Sequence, residues 1–390
     1  MSPPPRRPSP CMIHPATLHR PRIASPPHAD RRDSFSPAMR VRALALRLHL
    51  VIGVLTGAGL LVLGLSGAVL VLRPGFEGSQ SAELAPAPSG APAPSLDALL
   101  EAARRRHPGF VVTSLSLPGG DAAARVGMLD TTGGALEVLV DPRSGRIAGS
   151  HWAERSPLHA LRLLHTELYL GARGRVIVGL LGLWLVLQGM TGLYLWWPLM
   201  KRPRWGFTVR WARPWPVMGR DLHKALGAAL LVFHLPIAAT GALLGITALS
   251  PGAVDEAPTV SPSSPSLRTR HVETLARAAE RAMPGARITA FRFLPGPVVA
   301  VTVRAPGELD PHGASLVVVD ATTGRVVTVR DSRLRPWTYR LWAAAKALHV
   351  GAVGGPIVRA LYVLGGLASA ALALSGYVLA LARARAPVAA

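Results

Sequence analysis

Residues 221–249 read DLHKALGAALLVFHLPIAATGALLGITAL, and residues 47–72 read RLHLVIGVLTGAGLLVLGLSGAVLVL. Both are apolar runs long enough to cross lipid, because 22 helical residues rise roughly 33 Å at about 1.5 Å each. Their landmarks coincide as well. His49 is followed by Gly53 and by Ser66-Gly67, and His223 by Gly227 and Thr240-Gly241, at the same offsets of 4, 17 and 18 residues. Two further apolar runs, about 176–197 and 350–381, match each other in the same way. His165 precedes Arg175, Gly182 and Thr191-Gly192 by the offsets at which His349 precedes Arg359, Gly366 and Ser375-Gly376. Agreement at this many positions predicts an internal duplication, each unit being two spanning helices around a soluble segment.

Composition agrees with lipid as one of the solvents. Of the 390 residues 49% are hydrophobic and only 16% charged, where a soluble chain carries about 25% charged residues. Lys and Arg outnumber Asp and Glu by 43 to 21. Such an excess is often a nucleic-acid footprint, but here the cations cluster in the N-terminal tail and beside the apolar runs, which points to membrane orientation and no nucleic-acid partner. The one cysteine, Cys11, lies in a Pro/Ser/Arg-rich tail. An intrachain disulfide and a thiolate metal site are therefore excluded, and any metal chemistry rests on His, Met, Asp or Glu.

The flanks set the orientation. Arg40, Arg42 and Arg47 precede the first run, and Arg383 and Arg385 follow the last. Lys201, Arg202, Arg204, Arg210, Arg213 and Arg220 fill the short loop between the second and third, with no acid before Asp221. All three belong on one side, so both termini are expected in the cytoplasm, with Trp196, Trp197, Trp205, Trp211 and Trp215 at that interface. Met39 opens a cleaner start, and translation is expected to begin there.

The two long segments between the runs are expected outside. Ser95–His107 and His271–Met283 read as amphipathic helices, each stopped by Pro-Gly. Short β-rich runs follow, ending in the hairpin signals VLVDPRSGRI (138–147) and VVVDATTGRV (317–326), each with Gly where a turn needs positive φ. The fold class expected is a membrane all-α four-helix bundle with two extracytoplasmic α+β domains. Its parts are a disordered tail over 1–38, a first membrane helix over 39–73, a small domain over 95–150 and a second helix with an outer extension over 156–198. A basic cytoplasmic loop over 199–220, a third helix over 221–250, a second small domain over 268–331 and a fourth helix with an outer extension over 340–382 complete it.

An ionisable residue in a spanning segment is costly to bury, so function is its default reading. By depth, His49 and His223 form an inner pair and His165 and His349 an outer pair. Two neutral imidazoles on facing helices suit the opposite axial positions of a b-type haem iron, and two haems would fit. Without Cys-x-x-Cys-His, covalent c-type attachment is excluded. His234 breaks the symmetry, its counterpart being Leu60. It lies 11 residues after His223, about 16.5 Å along the helix and about 20° round it. A haem ligand, a relay residue and a packed polar residue beside Pro236 are all open readings. Arg175 and Arg359 suit haem propionates or interfacial anchors. His107, His151, His159, His271 and His312 show no metal-ligand spacing.

This pattern resembles the PepSY-associated transmembrane proteins, among them iron-regulated membrane proteins and ferric-siderophore reductases. The resemblance covers about 40–385. It rests on Arg47-Leu-His49, on Asp221-Leu-His223-Lys-Ala-Leu-Gly227, on Leu164-His165 and Leu348-His349, and on the Thr/Ser-Gly helix ends. Tyr194-Leu-Trp-Trp-Pro198 and the two Val-Asp-x-x-x-Gly-Arg hairpins add to it. It implies a bacterial inner-membrane protein with PepSY-like domains in the periplasm. It further implies two haems b in four helices, a cytoplasmic or quinol electron donor, and a ferric chelate such as a siderophore as acceptor, hence an oxidoreductase. Regulatory binding without redox activity, as PepSY domains allow, is the alternative; small-ligand transport is weaker, because the helices show no carboxylates.

Overall fold

The computed structural model describes residues 37–72, 93–117, 122–247 and 272–385. The tail expected up to residue 38, with Cys11, lies outside the described residues except for its last two positions. His271 and the start of the second small domain also lie outside them.

Four helices are long and apolar enough to cross a membrane, the mark of a multi-pass membrane protein. They are α1 (Pro37–Leu70), α4 (Gly171–Trp196), α6 (Trp215–Ile246) and α9 (Gly355–Ala384). Between α1 and α4 come α2 (Leu96–Arg106), β1 (Val111–Ser116), β2 (Ala124–Leu129), β3 (Ala135–Val140), β4 (Ile147–Trp152) and α3 (Pro157–Glu167). The short α5 (Pro203–Phe207) precedes α6. Between α6 and α9 come α7 (Val272–Ala282), β5 (Arg287–Phe293), β6 (Val298–Arg304), β7 (Ser315–Asp320), β8 (Val326–Arg330) and α8 (Trp337–His349).

The spanning helices touch through small residues, the only kind that lets backbones approach closely in lipid. A Cβ on Gly182 would come within 2.7 Å of Ala242 N on α6, and one on Gly64 within 2.8 Å of Gly366 O on α9. Gly182 and Gly366 are matching positions in the sequence register, so the two crossings use the same site.

The β-rich segments, expected as two separate small domains, share one antiparallel eight-stranded sheet of order β4-β3-β2-β1-β5-β6-β7-β8. The halves meet where β1 pairs β5, Ser114 opposite Arg292 and Leu115 opposite Phe291. Edge-to-edge pairing satisfies backbone groups that two isolated sheets would leave open on β1 and β5. One hydrophobic core serves both halves. Leu99, Leu100 and Ala103 of α2 and Val272, Leu275 and Ala279 of α7 cover Leu115, Val126, Val138, Phe291, Val299, Val301 and Val317.

The two covering helices cap each other. Glu273 of α7 accepts from the backbone N–H of Leu96 (2.8 Å) and Asp97 (3.3 Å), while Asp97 Oδ1 accepts from Val272 N (2.8 Å). Each carboxylate thus satisfies N–H groups that a helix start leaves without partners, and each sits at the positive end of a helix dipole. Both hairpin turns carry a glycine in the left-handed region, Gly145 (φ 71°) and Gly324 (φ 74°).

The outer extensions of the second and fourth spanning helices are separate short helices, α3 and α8. Between α3 and α4 the chain turns through Leu168 (φ 49°), Tyr169 (φ 58°) and Gly171 (φ 59°). Between α8 and α9 it turns through Gly351, Gly354 and Gly355 (φ 64°, 96° and 69°). Left-handed Leu and Tyr cost roughly 1–2 kcal/mol each, so that break is held by its surroundings, in part by Tyr169 OH donating to Ala160 O (2.6 Å). His165 and His349 sit in the last turns of α3 and α8, just before these breaks.

Candidate histidine-pair sites

The structure brings the four repeat histidines together two by two. The His49 and His223 ring centroids are 6.4 Å apart, and those of His165 and His349 6.2 Å. These are the pairs that depth along the helices predicts.

Each imidazole is held in one way. His49 Nδ1 meets Thr191 Oγ1 (3.0 Å), His165 Nδ1 meets Ser66 Oγ (2.9 Å), His223 Nδ1 meets Ser375 Oγ (2.9 Å) and His349 Nδ1 meets Thr240 Oγ1 (3.0 Å). A hydroxyl has one proton, and each of these already donates it to its own helix, to the carbonyls of Leu187 or Gln188, Val62, Leu372 and Pro236. Toward histidine each hydroxyl therefore accepts, so Nδ1 carries the proton and Nε2 keeps its lone pair. That tautomer, assigned from the hydrogen-bond network, is the one a metal-binding imidazole needs, with its other nitrogen donating to a fixed acceptor.

The residue after each hydroxyl is glycine, and at three of the four places the facing ring gives a steric reason, whereas a Cβ on Gly376 would lie 3.5 Å from His223 Cε1, an ordinary contact. A Cβ on Gly67, Gly192 or Gly241 would lie 3.1, 3.2 or 2.9 Å from Cε1 of His165, His49 or His349. Ser/Thr-Gly is thus a seat for an imidazole from the facing helix. Sequence reading had these dipeptides as helix-end landmarks; their equal offsets from the histidines were the signal that they act on them.

The separations bear on what a pair could hold. Two imidazole nitrogens bound at about 2.0 Å on opposite sides of one metal put ring centres about 6.2 Å apart, given about 1.1 Å from nitrogen to ring centre. Rings in direct edge contact span about 4.5–7 Å, so spacing alone does not separate the cases. Nε2 keeps its lone pair on all four rings and carries no hydrogen bond on His165, His223 and His349, which favours a ligand there, while on His49 it faces the Gln188 amide nitrogen at 3.3 Å. No group of three or more His, Cys, Asp or Glu gathers for a bare metal ion among the described residues. Two imidazoles fit a cofactor whose remaining coordination is its own, as a porphyrin's is.

His234 belongs to neither pair. Its Nε2 bonds Ser369 Oγ on α9, and Ser369 donates to Gly365 O (2.7 Å), so His234 donates through Nε2. It holds the opposite tautomer to the other four, tied to α9 through Nε2 with its lone pair on Nδ1. Arg175 faces Glu167 at 3.8 Å, with its Nε buried and without a hydrogen-bond partner. Arg359 is half-buried at the matching place on α9, where Gly351 replaces the acid.

Two features escaped sequence reasoning. Asp221 is 3% exposed and takes Arg210 in a fork (2.7 and 3.1 Å), with Lys224 at 3.5 Å, tying the basic loop to the α6 turn that bears His223. Gln188 places its amide nitrogen 3.3 Å from His49 Nε2.

A family model described as the PepSY-associated TM region matches residues 46–383, which take in α4, α6, most of α1 and α9, and both histidine pairs. The chain belongs to that family. No curated protein matches it. Within this PepSY-associated chain the family match spans the whole eight-stranded sheet, so sheet and histidine helices are parts of one family unit.

Proposed function

We propose that this PepSY-associated protein is a transmembrane electron carrier that holds one b-type haem between His49 and His223 and another between His165 and His349. The observation that carries the reading is the common seating of the four imidazoles, each with Nδ1–H donated to a hydroxyl and the lone pair left on Nε2, in two pairs at ring spacings of 6.4 and 6.2 Å; at His49 the Gln188 amide, 3.3 Å from Nε2, would have to turn aside for the iron. Haem ligated on both faces supplies reversible one-electron chemistry without an open site for oxygen.

The protein's own groups bind and orient. Thr191, Ser66, Ser375 and Thr240 fix the tautomer and aim of each ring, and an accepted Nδ1–H makes Nε2 the better donor. The apolar helices keep water from both sites. Arg175 and Arg359 offer cations to carboxylate groups at the His165–His349 end.

In this reading the basic 199–220 loop and both termini face the cytoplasm, and the sheet lies outside. The molecule is a duplicated unit, consistent with the matching helix crossings, the four equivalent seats and the mirrored strand order about β1–β5. Electrons enter from a quinol or a cytoplasmic reductant. They leave at the His165–His349 end to a ferric chelate of siderophore type, whose Fe(III) gains one electron to become Fe(II).

Purified protein should give a reduced-minus-oxidised spectrum of b-type haem, and reduced protein should be reoxidised by a ferric siderophore. A colourless protein that takes up no added haem would contradict the reading and leave a non-redox binding role.

A further inference from the structure

Helix α8 (Trp337–His349) has two unlike faces. At about 100° per residue, Leu341 and Leu348 fall about 40° and 20° round the axis from Trp337. All three are exposed, Trp337 at 71%, Leu341 at 50% and Leu348 at 44%. Tyr339 and Lys346 fall on the opposite side, about 200° and 180° round. That side is held by protein. The Tyr339 hydroxyl donates to Ala314 O at 3.0 Å, and Lys346 meets Asp310 at 3.3 Å. One face is thus fastened to the loop between β6 and β7, and the other carries an apolar stripe about 16.5 Å long.

The equivalent helix of the first half has no such stripe, since every residue of α3 from Leu158 to Glu167 is half-buried. The short turns before the two helices match, Ala153–Arg155 and Ser332–Leu334. Where the first ends on Arg155, the second ends on Leu334, which is 85% exposed. Large apolar side chains grouped in the open mark a surface that something covers.

What covers the stripe follows from where the helix ends. With four spanning helices, both β-rich segments lie on the same side of the membrane, and only residues 350–354 separate α8 from the span α9. Exposed apolar side chains continue through that link into the span, at Val350, Val353, Ile357 and Leu361. The stripe is therefore continuous with a surface whose solvent is lipid. Trp337, at its far end, is a residue type that favours the water–lipid boundary. Arg340, exposed and about 60° round from Trp337, is placed for headgroup phosphates.

We propose that α8 is an interfacial helix whose Trp337–Leu341–Leu348 stripe lies in the headgroup–acyl boundary of the phospholipid leaflet on the side of the sheet. It lies along the membrane surface, because an upright helix would reach lipid with Leu348 alone. Since α8 bears His349 and is fastened to the β6–β7 loop, the leaflet is a common support for that imidazole and the second half of the sheet. The inference stands whether or not His349 binds a haem.

The test uses the full chain with Cys11→Ser in phospholipid nanodiscs. A nitroxide is attached in turn at Trp337→Cys, Leu341→Cys and Leu348→Cys and, as the water reference, at Ser150→Cys, an exposed position on β4. Power-saturation electron paramagnetic resonance compares collisions with oxygen, which concentrates in lipid, and with a nickel chelate, which stays in water. The ratio of oxygen to nickel collisions should be several-fold higher at all three α8 sites than at Ser150. A Leu341 label as open to nickel as the Ser150 label overturns the proposal. A Leu341 label shielded from both reagents also overturns it, in favour of a protein or a second copy seated on the stripe. Because a nitroxide can disturb folding, the unsubstituted chain is probed as well, in discs containing a phospholipid with a diazirine near the glycerol end of its acyl chain. Mass spectrometry should find lipid adducts within 337–348; adducts on α9 with none on 337–348 overturn the proposal.

Discussion

Replacing Thr191 by Val keeps the shape of the side chain and removes the acceptor that holds His49 Nδ1–H at 3.0 Å. The imidazole N–H is then left without its partner in a half-buried site. Losing the partner of a buried donor costs about 1–3 kcal/mol. At about 1.4 kcal/mol per tenfold, that is a loss of roughly 5- to 150-fold in an equilibrium constant. Outer-shell partners of metal-bound histidine are worth about 10- to 100-fold in affinity, so the two routes agree. Haem binding to Thr191→Val in the His165→Ala background, followed by absorbance, should therefore weaken by one to two powers of ten. Thr191→Ser keeps the hydroxyl and should recover most of the affinity. A Val variant within about twofold of the parent would refute the seat argument, as would a Ser variant as weak as Val.

Other consequences follow from the packing. Gly182→Val drives a Cβ toward Ala242 N at 2.7 Å; backbone cannot yield as a side chain can, so thermal unfolding in detergent should show a loss of about 1–3 kcal/mol. Asp97→Ala removes the cap on Val272 N and should cost about 1 kcal/mol. Combined with Glu273→Ala it should be non-additive, because the two caps close one junction; strict additivity in a double-mutant cycle would contradict that. In the β7–β8 turn, Asp320 is held down to about 2 by the Thr322 hydroxyl, with the Thr323 backbone N–H adding to it. A depressed carboxylate stabilises the fold above its ordinary value of 3.8 and loses that contribution as pH falls through about 2. Hydrogen exchange at the Thr322 and Thr323 amides should thus stay protected at about pH 3 and speed up toward pH 2; faster exchange already at pH 3 would contradict the turn geometry.

Much of this molecule is legible in the residue order, for identifiable reasons. Spanning helices announce themselves through long apolar runs, the shared offsets from His49 to Ser66 and from His223 to Thr240 carried the duplication, and depth along the helices carried the histidine pairing. The hairpin glycines Gly145 and Gly324 were readable because positive φ favours one residue type. The joining of the two β-rich segments was not, because the Ser114–Arg292 register is a long-range pairing with no local signature. The break after His165 was hidden too, since it uses Leu168 and Tyr169, whereas Gly351, Gly354 and Gly355 mark the matching break plainly. Gln188 carries no motif or spacing that marks it, and only the structure places it on His49. His234 is open to three roles on spacing alone, and only the structure shows its bond to Ser369.

The most direct test of the two-pair account counts haem in single-histidine variants of the purified protein by pyridine haemochrome assay. The account predicts two haems per chain in the parent protein. It predicts one in each of His49→Ala, His223→Ala, His165→Ala and His349→Ala, none in His49→Ala with His165→Ala, and still one in His49→Ala with His223→Ala. An unchanged count in any single variant, or a haem lost with His234→Ala in place of one of the four, would contradict it.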